Sequence, residues 1–93
     1  MAADLNEKVK RYERLLKEAL NKAKFAPIEG SHMHKIASDY HKMASSYYED
    51  GIHFVENDDP VNALVCFSYG HAWLDAGARL GVFDVDDDVL FTI

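Results

Sequence analysis

The sequence predicts an all-α protein: an antiparallel up-and-down three-helix bundle followed by an extended C-terminal tail. Three stretches repeat apolar residues at intervals of three and four, the spacing of one face of an α-helix. The connections between them are short, which favours antiparallel neighbours. A chain of 93 residues has the length of one domain with a modest core. We therefore expect a single domain, 1–93, with helices at about 4–24, 31–56 and 60–80 and a tail at 82–93.

The first predicted helix begins at Asp4, which can cap it together with Glu7 three residues later. Its apolar residues form one regular seam: Leu5, Val9, Tyr12, Leu16, Ala19 and Ala23. Residues 1–25 contain seven Lys or Arg and four Asp or Glu, a net charge of +3, so the rest of the chain carries −9. A solvated surface is the favoured interpretation of this asymmetry, and docking onto a basic partner or head-to-tail onto a second copy is the alternative.

The second predicted helix follows a break at Pro27 and Gly30, and Ser31 is a suitable N-cap for it. Apolar residues again recur at helical spacing: Met33, Ile36, Ala37, Tyr40, Met43, Ala44, Tyr47, Gly51, Phe54 and Val55. Residues 57–59 then leave room for only a tight turn. The second and third helices should therefore form an antiparallel hairpin.

The third predicted helix is the one around which the others pack. Asp59 is an N-cap residue, Pro60 suits the first helical position, and Gly81 suits the left-handed residue that ends a helix. One apolar line contains Ala63, Phe67, Gly70, Leu74 and Gly77. Because an interior glycine costs about 1 kcal/mol relative to alanine, Gly70 and Gly77 predict close approach of a neighbouring backbone.

A second apolar stripe runs along the other side of this helix. We call it the outer stripe, and it contains Val65, Tyr69, Ala72 and Ala76. A helix that is apolar on nearly every side is normally covered on more than one of them. The outer stripe is therefore the candidate interface for a protein partner or for a second copy in a homodimer, unless the chain's own tail covers it.

The tail, 82–93, shows no helical or strand period and combines four aspartates with an apolar end at 89–91 and Ile93. We expect it to lie back over the outer stripe, which would bury both apolar surfaces. The alternative is a free tail that adds to a partner through its apolar end. The acidic run opens like an EF-hand loop, but Val89 stands where that loop needs glycine, so a solvated acidic turn is expected.

The candidate ligand flank is bounded by His71, Trp73 and Asp75 of the third helix and by Tyr47 of the second. Ser68, His71 and Asp75 share one side of the helix and have the composition of a catalytic triad. A single helix provides neither the cleft nor the oxyanion hole that such a triad needs, so we expect no catalytic residue. We expect His71 and Asp75 to hydrogen-bond each other or a tyrosine of the second helix.

Composition argues against several other functions. The five histidines lack the spacing of a metal motif, since His71 and Asp75 alone would supply two ligands, and we expect no metal and no cofactor. The single cysteine, Cys66, excludes an internal disulfide and is expected to be a buried thiol. A net charge of −6 argues against nucleic-acid binding. Neither a membrane span nor a signal-peptide segment is evident, so a cytoplasmic protein without a membrane partner is expected.

Two resemblances support this interpretation. The run from Tyr47 to Val85, which includes Ala-x-x-x-Phe-Ser-Tyr-x-His-x-Trp-Leu-Asp-Ala-Gly, resembles the DUF357 family of short archaeal proteins. That resemblance implies a small three-helix bundle and supplies no activity, because the family's function is unassigned. The hairpin is also similar to a tetratricopeptide repeat at its small and aromatic positions: Gly51, Phe54, Ala63, Phe67 and Gly70.

These observations favour a non-enzymatic helical module for protein–protein interaction or self-assembly, acting through the outer stripe. The alternative is a helical accessory domain that binds a small molecule or nucleotide at the flank around His71 and Asp75.

Overall fold

The computed structural model describes residues 2–92 and is an antiparallel bundle of three α-helices, as the sequence predicts. Met1 and Ile93, the last apolar residue of the predicted tail, lie outside the described residues. The elements are, in chain order, α1 (Leu5–Lys22), β1 (Lys24–Phe25), α2 (His32–Glu56), α3 (Pro60–Leu80) and β2 (Phe83–Asp84). Within residues 2–92, no helix is long and apolar enough to cross a membrane.

Each helix is preceded by an N-cap residue whose side chain accepts a hydrogen bond from an amide of the first helical turn. The Asp4 carboxylate accepts from the amide of Asn6 at 3.0 Å, and the Ser31 hydroxyl accepts from the amide of His34 at 3.1 Å. Asp59 does the same for α3, where Pro60 occupies the first turn and lacks an N–H that would need a partner. The three predicted N-caps are therefore confirmed.

A residue with positive φ follows shortly after the last residue of both α2 and α3. Gly81 ends α3 at φ 90°, and the next amide, of Val82, donates to the carbonyl of Gly77 at 3.0 Å. The same motif ends α2, where the amide of Asp59 donates to the carbonyl of Phe54 at 2.8 Å. There, however, the left-handed residue is Asp58, at φ 57°. An aspartate in that conformation is strained in a way that glycine is not.

The core lies around α3, which packs against both other helices. Its buried residues are the five of the predicted line: Ala63, Phe67, Gly70, Leu74 and Gly77. A Cβ atom on Gly70 would lie 3.0 Å from a methyl carbon of Leu16 and 3.2 Å from the carbonyl oxygen of Ala44. The glycine therefore lets α1 and α2 approach α3 together, and the predicted close approach is confirmed at this position.

The tail returns to the bundle through a short antiparallel ladder. Lys24 pairs with Asp84 and Phe25 with Phe83, so the first helix ends at Lys22 and not near residue 24 as predicted. The ring of Phe83 lies directly against Gly77 and fills the space that a side chain there would need. At Gly77 the close neighbour is therefore an aromatic ring and not a backbone segment.

The expectation that the tail covers the outer stripe is wrong. The buried tail residues are Val82, Phe83, Leu90 and Phe91. The end of the tail lies instead along the groove between α1 and α3, where Lys22 contacts Asp87 at 3.2 Å. Pairing with β1, which directly follows α1, sends the chain to this side of α3. The outer stripe remains uncovered by the described residues of the tail.

Candidate functional site

The outer stripe is the largest apolar feature that α3 exposes. Val65 is 59% exposed and Tyr69 is 52% exposed, and Ala72 and Ala76 are exposed as well. Two further apolar residues continue this side of the helix, Val61 one turn earlier and Leu80 one turn later, and each has more than half of its surface exposed. An apolar band along a whole helix is unusual on a monomer surface and is typical of an interaction site.

Aromatic side chains of α2 and α3 border the outer stripe. The ring of Tyr47 packs edge-on against Tyr69, with centroids 4.8 Å apart, and Tyr40 packs edge-on against Trp73 at 5.1 Å. Tyr69 and Trp73 stand nearly perpendicular, at 82° and 6.4 Å. Sequence reasoning placed Tyr47 and Trp73 beside His71, but the structure places them with Tyr69 on the other side of the helix. Trp73 follows Tyr69 by one turn, whereas His71 follows it by only two residues and points elsewhere.

His71 and Asp75 hold the tail in its groove. The Nε2 atom of His71 donates to the carbonyl oxygen of Leu90. The Asp75 carboxylate accepts from the amide of Thr92 at 2.9 Å and also from its hydroxyl at 3.4 Å. The predicted partners, each other or a tyrosine of α2, are therefore wrong, since His71 Nε2 and Asp75 Oδ1 are 4.0 Å apart. The partners of both side chains therefore lie in the tail: the Leu90 carbonyl for His71, and the Thr92 amide and hydroxyl for Asp75.

A groove of about 670 Å³ remains open beside this contact. Ser68, His71 and Asp75 line it together, as their shared side of the helix predicted, and Tyr12 of α1 and the end of the tail form its other walls. The geometry is not that of a catalytic triad. The imidazole nitrogen is committed to the Leu90 carbonyl, and the carboxylate lies beyond hydrogen-bond distance from it.

The acidic segment forms a turn whose centre is Asp87. One carboxylate oxygen of Asp87 accepts hydrogen bonds from the amides of Leu90 at 3.1 Å and Val89 at 2.9 Å. These bonds, and then the ammonium group of Lys22, lower the pKa of Asp87 from its ordinary value. Asp84, Asp86 and Asp88 are exposed. The expected solvated turn is therefore found, with one aspartate acting as its internal cap.

Two histidines of α2, His34 and His41, have partners elsewhere in the bundle. His41 donates from Nε2 to the carbonyl of Leu20 at 3.0 Å, and His34 lies edge-on to the ring of Phe25 at 5.2 Å. In residues 2–92, no three histidine, cysteine or acidic side chains are placed to share a metal ion. Cys66 is half-buried and not fully buried as expected. Burial raises the pKa of its thiol, and the nearby charge of Asp50 raises it further.

The fold and these surfaces define a small helical-bundle protein whose C-terminal tail is packed against the bundle and whose third helix exposes an aromatic and aliphatic face. The chain belongs to the DUF357 family, whose description is a protein of unknown function and whose sequence profile matches residues 11–83. The match includes most of α1, which lies outside the segment on which the sequence resemblance rested. No curated protein and no solved structure matches the chain significantly.

Proposed function

We propose that this protein is a non-enzymatic interaction module that binds a protein partner or a second copy of itself through the outer stripe. The observation that supports the proposal is the exposure of Val65 and Tyr69, 59% and 52%, on the helix around which the core forms. The tail, which could have covered this face, is held in the groove between α1 and α3 by His71 and Asp75.

The composition of the face also supports this role. Tyrosine and tryptophan are enriched in protein interfaces because they bring large apolar area at a small cost in side-chain entropy. Here Trp73 contacts two further aromatic residues, Tyr40 and Tyr69. The four residues of the outer stripe, from Val65 to Ala76, are all uncharged.

The test is the substitution Tyr69→Asp, which places a charge at the middle of the outer stripe. Because Tyr69 is half exposed, the change should leave the helical content in far-UV circular dichroism intact. Sedimentation equilibrium at several protein concentrations should show self-association of the wild type that the variant loses. A cross-linker attached at position 65 of the wild type can identify a protein partner. The Tyr69→Asp variant should then fail to capture that partner.

The matched control is Ser46→Asp, which adds the same charge at an exposed position of α2. It should leave assembly and capture unchanged. If Tyr69→Asp behaves like this control in both measurements, the outer stripe is not an interface and the proposal fails.

The open groove beside His71 supports a second candidate function, the binding of a small molecule or nucleotide. Its volume of about 670 Å³ is within the range of ligand sites, and Ser68, Tyr12 and Asp75 present polar groups to it. A ligand of this groove should raise the melting temperature, and His71→Ala should remove that rise. A broad metabolite screen without any shift in melting temperature would count against this function.

A further inference from the structure

A small hollow lies on the outer stripe between α2 and α3. Its volume is about 210 Å³, and it is lined by Tyr40, Tyr69 and Trp73 around Ala72 and Ala76. The two alanines leave the hollow open, because a longer side chain at either position would occupy it. The three rings form its sides.

The arrangement of these rings is the kind that attracts a cation. Trp73 stands nearly perpendicular to both tyrosines, at 79° to Tyr40 and 82° to Tyr69, so the rings form a corner and not a flat stack. The face of an aromatic ring is electronegative, and a cation within about 6 Å of the ring centroid is attracted to it. A group inside the corner can approach more than one ring at once.

The five lining residues of the hollow are all uncharged. The charged residues within three positions of them in the sequence, Asp39, Lys42, Asp75 and Arg79, sum to zero, so the attraction for a cation comes from the rings. The chain does not fill the hollow with its own cation. The cation–π contact formed within residues 2–92 is at another place, with Arg11 over the ring of Tyr12 at 5.7 Å.

We propose that this aromatic hollow receives an arginine side chain of a protein partner docked on the outer stripe. Arginine is favoured because its guanidinium group is planar, stacks on aromatic faces and is more weakly hydrated than the ammonium group of lysine. The proposal rests on the proposed function and adds the chemistry by which the partner is recognised. The apolar residues of the outer stripe supply contact area, and the hollow selects for positive charge.

The first experiment uses Trp73, the single tryptophan of the chain, as the reporter. N-acetyl-arginine amide is titrated to about 100 mM at constant ionic strength, at a protein concentration where sedimentation shows a monomer, while the indole N–H resonance and the fluorescence are followed. N-acetyl-citrulline amide, which has nearly the same shape without the charge, is the matched ligand. We expect a saturable response that is at least about fivefold weaker with citrulline, as expected from about 0.5–1 kcal/mol for each exposed ring.

Two variants locate the response. Ala76→Leu fills the hollow without touching the core and should abolish the response to arginine. Val65→Ala, on the same stripe but outside the hollow, should leave it unchanged. Equal responses to arginine and citrulline, or no saturable response at all, would overturn the assignment of a cation site.

The second experiment distinguishes a partner's side chain from a free guanidinium ligand. A pentapeptide, acetyl-Ala-Ala-Arg-Ala-Ala-amide, should bind more tightly than N-acetyl-arginine amide because its flanking residues reach the outer stripe. Equal or weaker binding would assign the hollow to a free ligand and refute the partner. The proposed function can fail separately from the cation site. That is the outcome if Tyr69→Asp leaves assembly and partner capture intact although the wild-type protein shows the arginine response.

Discussion

Replacing Gly77 by alanine should destabilise this protein, although alanine is the better helix former. In an exposed helix interior the change would stabilise by about 1 kcal/mol. Here the added Cβ atom would overlap the ring of Phe83, which lies against the glycine. Overpacking of a core costs about 1–3 kcal/mol, and an overlap with two ring atoms belongs in the upper part of that range. We expect a net destabilisation of about 1–2 kcal/mol, or a melting temperature lower by about 4–15 °C.

A second substitution makes this test specific for the ring. Phe83→Val removes the atoms that meet Gly77 and keeps a residue suited to the short strand β2. In that background, Gly77→Ala should become stabilising by up to about 1 kcal/mol, because only the helix propensity remains. Urea unfolding of the four proteins, followed by far-UV circular dichroism, measures the two effects and their coupling.

Gly81→Ala is the control for a glycine whose role is conformational. Its φ is 90° and an added Cβ atom would meet no heavy atom within 4 Å, so its cost of about 1–2 kcal/mol should be the same with Phe83 or Val at position 83. The reasoning is refuted if Gly77→Ala stabilises the wild-type protein, or if its effect keeps the same sign and size in the two backgrounds.

Three further predictions concern the turns and the helix hairpin. Asp58→Gly should stabilise the protein by about 0.5–1 kcal/mol in urea unfolding, because glycine adopts the positive φ found after α2 without the strain of a side chain. Acidification should release the tail, because the pKa of Asp87 is lowered. The stabilisation that its carboxylate gives to the folded tail is fully present above the ordinary pKa of 3.8 and is lost as the pH falls through the lowered pKa. The amide resonance of Leu90 reports this transition. Gly51→Ala should destabilise by about 2–3 kcal/mol, because the new Cβ atom would meet the ring of Phe67.

Each of these predictions has a control in the same chain. Asp58→Asn should change stability little, because asparagine tolerates the left-handed conformation about as well as aspartate. Asp87→Asn should remove the acid transition of the tail, whereas Asp86→Asn, at an exposed position, should keep it. Gly30→Ala meets no atom within 4 Å and should show only the cost of its φ of 84°. A transition unchanged by Asp87→Asn, or a Gly51→Ala variant as stable as the wild type, would contradict the reasoning.

The helices and their buried faces were predictable because each carries a complete local signal. Asp59, Pro60 and Gly81 mark the ends of α3, and the period of 3.6 residues identifies its buried line. The same period separated the outer stripe from the core. These signals depend on residues near one another in the sequence, and the tertiary structure agrees with them.

The path of the tail was not predictable from the same signals. β1 and β2 have two residues each, too few for a strand period to be detected. The shortest hydrogen bonds of His71 and Asp75 are to main-chain groups of Leu90 and Thr92, which any residue type would have supplied. Matching of side-chain types therefore selected the wrong partners. The one available signal was Gly77, since an interior helix glycine predicts a close neighbour but does not identify it.

The short antiparallel ladder between β1 and β2 makes two surfaces of α3 differ in their accessibility to ligands. It joins residues 24 and 84 through a ladder of only two residue pairs, so its hydrogen bonds should exchange with solvent before those of the helices. The tail occupies the hydrogen-bonding groups of His71 and Asp75 that face Leu90 and Thr92. A ligand that takes over these hydrogen bonds binds only the fraction of molecules whose tail has opened, and its apparent affinity is lowered by that fraction. The outer stripe requires no such opening. One helix thus presents a permanently available apolar surface and, beside the tail, hydrogen-bonding groups that become available only when the tail opens.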